Sequence, residues 1–196
     1  MTEQKNITSL RGTKQSVSLI PKLRFKEFDG DWEIKKLGDN ISIISGFPFK
    51  SDLFSESGNK LVIPKNFTKN GYGNFTDKFS KYTIEKVDSK YICTENDLLV
   101  LLTDLTQSCE LLGKPLTIKK SDGKVLLNQR VIKIDCSNIL RKDFLSNFFL
   151  TEKYHKIIKK TSSGSTVRHS SNKIIQNIKL SIPSIPEQQK IATFLT

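Results

Sequence analysis

General acid–base chemistry near neutral pH most often uses histidine, and this chain has two, His155 and His169. His155 lies in EKYHKIIKK, whose composition suits a solvated helix face. His169 follows Arg168 in TSSGSTVRHSSNK, a setting for a DNA-facing or structural side chain more than for a general base. No nucleophile, histidine and acid can be nominated as a hydrolytic triad from their order alone. A Mg²⁺-dependent nuclease would need clustered carboxylates with a lysine close by. Asp104 and the run Asp122-Gly123-Lys124 have the right residue types, but SDGK is fully explained as a turn. GYGNFT holds two glycines and lacks the third of the dinucleotide fingerprint. There is no Walker lysine pattern and no aromatic-flanked Asn-Pro-Pro tetrapeptide of the adenine methylases, so no motif for holding a cofactor is found.

Residue types that read nucleic acid are better represented. Base edges are read by Arg, Lys, Asn and Gln, and phosphates are held by Lys, Arg, Ser, Thr and backbone amides. PKNFTKNGYGNF supplies Lys65, Asn66, Lys69, Asn70, Tyr72 and Asn74, and SSGSTVRHSSNK supplies Ser165, Thr166, Arg168, His169 and Lys173. LNQRV adds Asn128, Gln129 and Arg130. The alternative is ordinary polar loops and a satisfied strand-edge arginine. Charge is uneven along the chain: residues 116–196 carry fifteen basic and five acidic side chains, against a net +12 for the whole. The obvious partner of so polarised a field is a polyanion, and the plainer reading is a basic protein with no such partner.

These segments need a frame to hold them. At 196 residues, 36% hydrophobic and with twelve Phe, the chain has material for one domain with a sizeable core. No apolar run reaches the length of a membrane span, the longest lying around DLLVLLTDL. MTEQKNITSLRGTKQSVSLI lacks the apolar stretch of a signal peptide. Cys93, Cys109 and Cys136 form no CxxC pair and fit reduced thiols. A soluble cytoplasmic protein without a membrane partner is the expectation.

Pro21 to Phe28 reads as an extended arm anchored by Leu23, Phe25 and Phe28. NISIISG, NKLVIP and DLLVLL read as strands, with a turn at Glu95-Asn96-Asp97 before the last. GKPLTIKKSDGKVLLNQRVIKID reads as two strands joined at Ser121-Asp122-Gly123. RKDFLSNFFLTEKYHKIIKK is one helix by its apolar spacing, with Asp143 as cap or first-turn acid and Lys156, Lys159 and Lys160 enriching its end. IIQNIKLSIPSIP reads as a last strand, and a final helix starts near Pro186 with Glu187 in its first turn. Many short strands with one good helix predict an α+β domain on a mostly antiparallel, curved or barrel-like sheet with one or two packed helices.

In order and spacing, these pieces resemble the specificity subunit of type I restriction–modification enzymes, and more narrowly one target recognition domain with its junctions. The resemblance runs from about Pro21 to Thr196. It is carried by PKLRFKEFDGDWEIKKLGD, SGFPFKS, ENDLLV followed by Thr103, LNQRV, GSTVRH and IKLSIPSIPEQQKIATFL. It implies a DNA target recognition domain at 21–185 and the start of a spacer helix at 186–196; residues 1–20 lie outside it and read, from their composition, as a polar tail. Ile191, Phe194 and Leu195 would then begin a stripe meant for a partner helix. It also implies a non-catalytic role: reading one half of a split double-stranded DNA target and positioning modification and restriction subunits. S-adenosylmethionine, ATP and Mg²⁺ would be held by those partner subunits and none by this chain. A second recognition domain or another copy of the chain would complete the site. The rival expectation is a truncated or decoy half-subunit that acts as a protein-interaction module on the modification subunit.

Overall fold

A computed structural model describes residues 21–195 apart from Lys22 and Gln107. The tail expected at 1–20, and Thr196, lie outside the described residues. The elements run β1 (Glu33–Lys36), β2 (Ile41–Ser45), β3 (Phe54–Ser55), β4 (Asn59–Val62), β5 (Lys81–Thr83), β6 (Ile92–Cys93), β7 (Leu98–Leu101), β8 (Thr103–Asp104), β9 (Pro115–Thr117), β10 (Val125–Leu127) and β11 (Val131–Cys136). They continue with α1 (Lys142–Leu150), α2 (Glu152–Thr161), β12 (Arg168–His169), α3 (Asn172–Asn177), β13 (Lys179–Ile182) and α4 (Ile185–Leu195). The α+β class expected from the sequence is what forms.

Two sheets carry the body. The order β2-β11-β7-β9 is antiparallel throughout. The order β3-β5-β4-β10-β6 is mixed, with β4 and β10 parallel. Two ribbons, β1-β13 and β8-β12, complete the framework, and among the described residues no sheet closes into a barrel. Every residue of β7 is buried because both of its faces are covered. Alternate residues of a strand point to opposite faces. Leu98 and Val100 accordingly enter a cluster with Phe144, Leu145, Phe149, Tyr154 and Ile158 of the helices. Leu99 and Leu101 enter a second cluster with Leu116, Leu127 and Val131.

Three expected elements are revised. The single helix is split at Thr151, whose extended backbone stops α1 and whose hydroxyl accepts from the Tyr154 N–H at 3.3 Å to start α2. The bend brings Phe149 and Tyr154 into one core, with ring centroids 4.7 Å apart. The last strand loses its first half to α3, where Ser171 Oγ accepts from the Ile174 N–H and Ile175 enters the core. KVLLNQRVIKID is not one strand: it turns at Asn128–Arg130, and its halves, β10 and β11, join different sheets.

The arm is held differently from expectation. Leu23 is 92% exposed and anchors nothing. The anchor is Arg24, whose Nε and Nη2 reach the two carboxylate oxygens of Glu187 at 2.8 and 2.7 Å. Its Nη1 and Nη2 also donate to the carbonyls of Gly30 and Asp29, at 2.6 and 2.8 Å. Gly30, at φ +77°, supplies the left-handed turn that points its carbonyl there. Trp32 Nε1 adds a donor to Glu187 at 3.2 Å. Gln188, next in the chain, accepts from the Arg141 N–H at 2.9 Å and donates to the carbonyls of Ile139 and Pro183 at 2.8 and 2.9 Å. The first turn of α4 therefore ties the arm to the body with one residue and the N-terminus of α1 with the next.

Candidate nucleic-acid interface

Leu102, between β7 and β8, is where two of the polar segments meet. Its N–H donates to the Arg130 carbonyl at 2.9 Å and its own carbonyl accepts from the Ser170 N–H at 2.9 Å. The turn at Asn128–Arg130 and the segment around β12 are therefore both tied to the backbone of this one residue.

The turn is shaped from within. Asn128 is buried, and its Oδ1 accepts from the Arg130 N–H at 3.2 Å. Phe47 N–H donates to Leu127 O at 2.8 Å and Gln129 N–H to Phe47 O at 3.0 Å, which draws the SGF segment against the turn. A Cβ on Gly46 would lie 1.9 Å from Asn128 O, so only glycine permits that approach. Gln129 and Arg130 remain exposed.

GSTVRH is the tip and one strand of a hairpin. Ser163 and His169 exchange backbone hydrogen bonds at 3.0 and 2.9 Å. Gly164 makes the tight turn at φ +100°, where a Cβ would sit 2.0 Å from Val167 O. Ser165 and Thr166 are exposed at the tip. Arg168 pairs in register with Asp104 and His169 with Thr103, and Thr103 Oγ1 lies 3.2 Å from His169 Nδ1. Asp104 is not a partner for the Arg168 side chain. Its oxygens accept from Thr106 N–H and Oγ1, both at 2.8 Å, and from the N–H groups of Leu111 and Leu112 at 2.8 and 3.1 Å. This carboxylate folds the 104–112 loop, a role legible in hindsight from the D-x-T spacing of an Asx turn. Arg168 Nε is buried without a hydrogen-bond partner among the described residues.

The third segment, 65–74, attaches at the far end of that loop. Lys69 bonds Glu110 at 2.7 Å, which holds the Glu110 carboxyl below its ordinary range. Asn66 is fully buried: its Oδ1 accepts from the Ile63 N–H at 2.7 Å and its Nδ2 donates to Asn74 O and Phe79 O at 2.8 and 2.9 Å. Its side chain is used inside the loop, which it builds. Asn74 Oδ1 accepts from the Thr76 hydroxyl at 3.0 Å. Lys65 and Asn70 are exposed, and Tyr72 is held with Lys119 Nζ 3.8 Å from its ring centroid. Asn70 and Tyr72 line a cleft of about 730 Å³ shared with Lys142 and Asn147 of α1, away from the hairpin residues.

On α2, Lys159 and Lys160 are exposed at the C-terminal end, while His155 Nε2 donates to Cys109 O at 2.7 Å and pins the 104–112 loop. Lys173 is exposed in α3. Of the apolar stripe on α4, Ile191 packs against the helix-side core, whereas Phe194 and Leu195 are exposed, with the Phe194 ring edge-on to Phe25 at 5.7 Å. Among the described residues, no group of three His, Cys, Asp or Glu is placed to hold a metal ion, and no helix is long and apolar enough to cross a membrane.

This architecture has counterparts. Over 90% of the chain, it superposes on 41% of a crystal structure of the type I restriction–modification S subunit from M. genitalium, with a TM-score of 0.63 at 13% identity. The HsdS subunit from Thermoanaerobacter tengcongensis matches over 91% of the chain and 39% of its own length, with a TM-score of 0.57 at 16% identity. In sequence, the chain is 28% identical over 177 residues to the type I restriction enzyme MjaVIII specificity subunit of Methanocaldococcus jannaschii, covering 88% of this chain and 38% of that one. It thus spans about two fifths of the length of these relatives. Residues 29–196 match the family model of the type I restriction modification DNA specificity domain, and the chain belongs to that family.

Proposed function

We propose that this chain reads DNA as one recognition domain of a type I specificity subunit, taking one half of a split target while modification and restriction subunits carry out the chemistry. In this reading it works in the cytoplasm and contributes no catalytic group. Methylation with S-adenosylmethionine, and ATP- and Mg²⁺-dependent translocation and cleavage, belong to the partner subunits. A second recognition domain, or another copy of the chain, takes the other half of the target.

The observation that carries the reading is the pairing at Leu102. One strand holds an exposed Gln129-Arg130 turn beside a hairpin that presents Ser165, Thr166 and Arg168, and Arg168 Nε has no hydrogen-bond partner among the described residues. A buried donor without a partner is costly, and a phosphate or base edge supplies the missing acceptor. Gln129, Arg130 and Arg168 are of the types that read base edges, while Ser165, Thr166, Lys159, Lys160 and Lys173 suit phosphates. Lys65, Lys69, Asn70 and Tyr72 form a second contact region, joined to the first through Glu110 and the 104–112 loop.

The test is selection of bound duplexes from a random pool with the modification subunit present. A recovered half-site that disappears in Arg168→Ala and in a Gln129→Ala/Arg130→Ala double variant supports the reading. Complex formation with the modification subunit and no sequence preference refutes it and favours the protein-interaction module.

A further inference from the structure

Arg168 Nε is not alone on its strand. Ser170 Oγ, two residues on, is also buried without a hydrogen-bond partner among the described residues. Ser170 continues the pairing of β12, its N–H donating to Leu102 O at 2.9 Å. Alternate residues of a strand share a face, so the guanidinium and the hydroxyl stand on the same side of the hairpin, their Cα atoms about 6.6 Å apart. His169, between them, falls on the opposite face, and its Nδ1 lies 3.2 Å from Thr103 Oγ1. The charge of Arg168 is unmet as well. Asp104, opposite it in register, gives its oxygens to Thr106, Leu111 and Leu112. Among the described residues, no carboxylate pairs with Arg168.

We propose that Arg168 Nε and Ser170 Oγ hold one phosphate group between them and, resting on the DNA reading above, that this group is a phosphodiester of the target backbone. Two oxygens of one phosphate, each taking a hydrogen bond of about 2.8 Å, cover the span between the two side chains. The negative charge of the phosphate answers the guanidinium, which the neutral edge of a base does not. A carboxylate of a partner protein is also charged. The same segment, however, carries Ser165, Thr166 and Lys173, exposed and of the types that hold phosphates, which favours the phosphate. Both atoms are covered in the free domain, so the phosphate reaches them by shifting the hairpin. Ser170 thereby becomes a binding residue that neither its letter nor its place beside the Ser171 cap singles out.

The test has two arms. In the first, the whole chain is labelled with nitrogen-15 at arginine, and Arg168→Lys assigns the Arg168 Nε–H signal. Inorganic phosphate and acetate are titrated in parallel at constant ionic strength. The expected result is a saturable shift of the Arg168 signal with phosphate and none for the exposed Arg130. Ser170→Ala should bind phosphate about fivefold more weakly, the effect of one lost hydrogen bond. The second arm keeps the test decisive if Ser170→Ala disturbs the hairpin. In a duplex carrying the selected half-site, one phosphate at a time is replaced with a neutral methylphosphonate. At one position the replacement should weaken binding of the unaltered chain about tenfold, and have no effect on Arg168→Ala. The proposal is overturned if phosphate does not saturate the Arg168 signal, or if no methylphosphonate in a recovered half-site loses its effect in Arg168→Ala. Acetate matching phosphate overturns it by pointing to a carboxylate of a partner protein. A purine lacking N7 that couples to Arg168→Ala where no methylphosphonate does overturns it by assigning Arg168 to a base edge. Saturation by inorganic phosphate with no half-site recovered would remove the DNA reading and leave a site for free phosphate.

Discussion

Gln188 and Gln189 are adjacent in sequence and opposite in environment, and replacing each with alanine separates packing from composition. Gln188 is fully buried and makes three hydrogen bonds, to Arg141 N–H, Ile139 O and Pro183 O, whereas Gln189 is exposed. A typical internal hydrogen bond contributes about 1 kcal/mol net, and a buried group left without a partner costs more. Gln188→Ala removes three such bonds and uncaps the start of α1, so the expected loss is about 3 kcal/mol. For a domain of this size 1 kcal/mol shifts Tm by roughly 2–4 °C, which gives a fall of roughly 6–12 °C. Gln189→Ala is a surface change, expected within about 0.5 kcal/mol of the unaltered protein. Thermal and urea unfolding of the two variants, followed by circular dichroism, make the comparison, and the urea slope should be unchanged in both. Equal midpoints for Gln188→Ala and Gln189→Ala would refute the claim that this residue joins α4 to α1.

Other expectations follow from the same geometry. Tyr154 Oη is buried without a hydrogen-bond partner among the described residues, so Tyr154→Phe keeps the ring and removes an unmet polar group; unfolding should show no loss and up to about 1 kcal/mol of gain. Burial pushes the Cys93 and Cys136 thiols up from the ordinary 9.0 to about 12. Both stay protonated in the fold, so alkylation at pH 8 should be slow until denaturant is added. Because the unfolded thiols ionise first, stability should fall as pH rises from about 9 towards 12. Gly46→Ala forces a Cβ against Asn128 O and should cost about 1–3 kcal/mol by overpacking while also disturbing Gln129 and Arg130 in DNA selection. Lys159→Ala with Lys160→Ala should reduce the slope of log affinity against log salt by up to about 1.8 if both contact phosphates.

Much of the frame was legible in the residues. Alternation and turn chemistry placed β2, β4 and β7, and the proline–acid pattern placed the start of α4, because these depend on local backbone preference and on which residues avoid water. The family resemblance was legible because its motifs keep their order. Where local preference was ambiguous, packing decided. IIQN suits a strand by its β-branched residues, yet the Ser171 cap and the core site for Ile175 make it a helix. LNQR looked like strand interior, but the contact between Gly46 and Asn128 makes it a turn.

By itself, the sequence determined the charge asymmetry, the α+β class and the lack of any recognisable catalytic or cofactor motif, since these follow from composition and local pattern. Tertiary structure alone decided which polar residues face outward. Asn66 and Asn70 belong to one loop and look equivalent as letters, yet the first is used up inside the loop and the second is exposed, because burial depends on contacts between residues far apart in the chain. The same holds for PEQQ. Its glutamate reads as a first-turn acid, and nothing in the letters separates its two glutamines. Only the fold shows Glu187 meeting Arg24, 163 residues away, and Gln188 meeting Arg141, 47 away. Long-range partners of this kind leave no periodic trace in sequence, and so the residues that tie the arm and α1 to α4 emerged only with the structure.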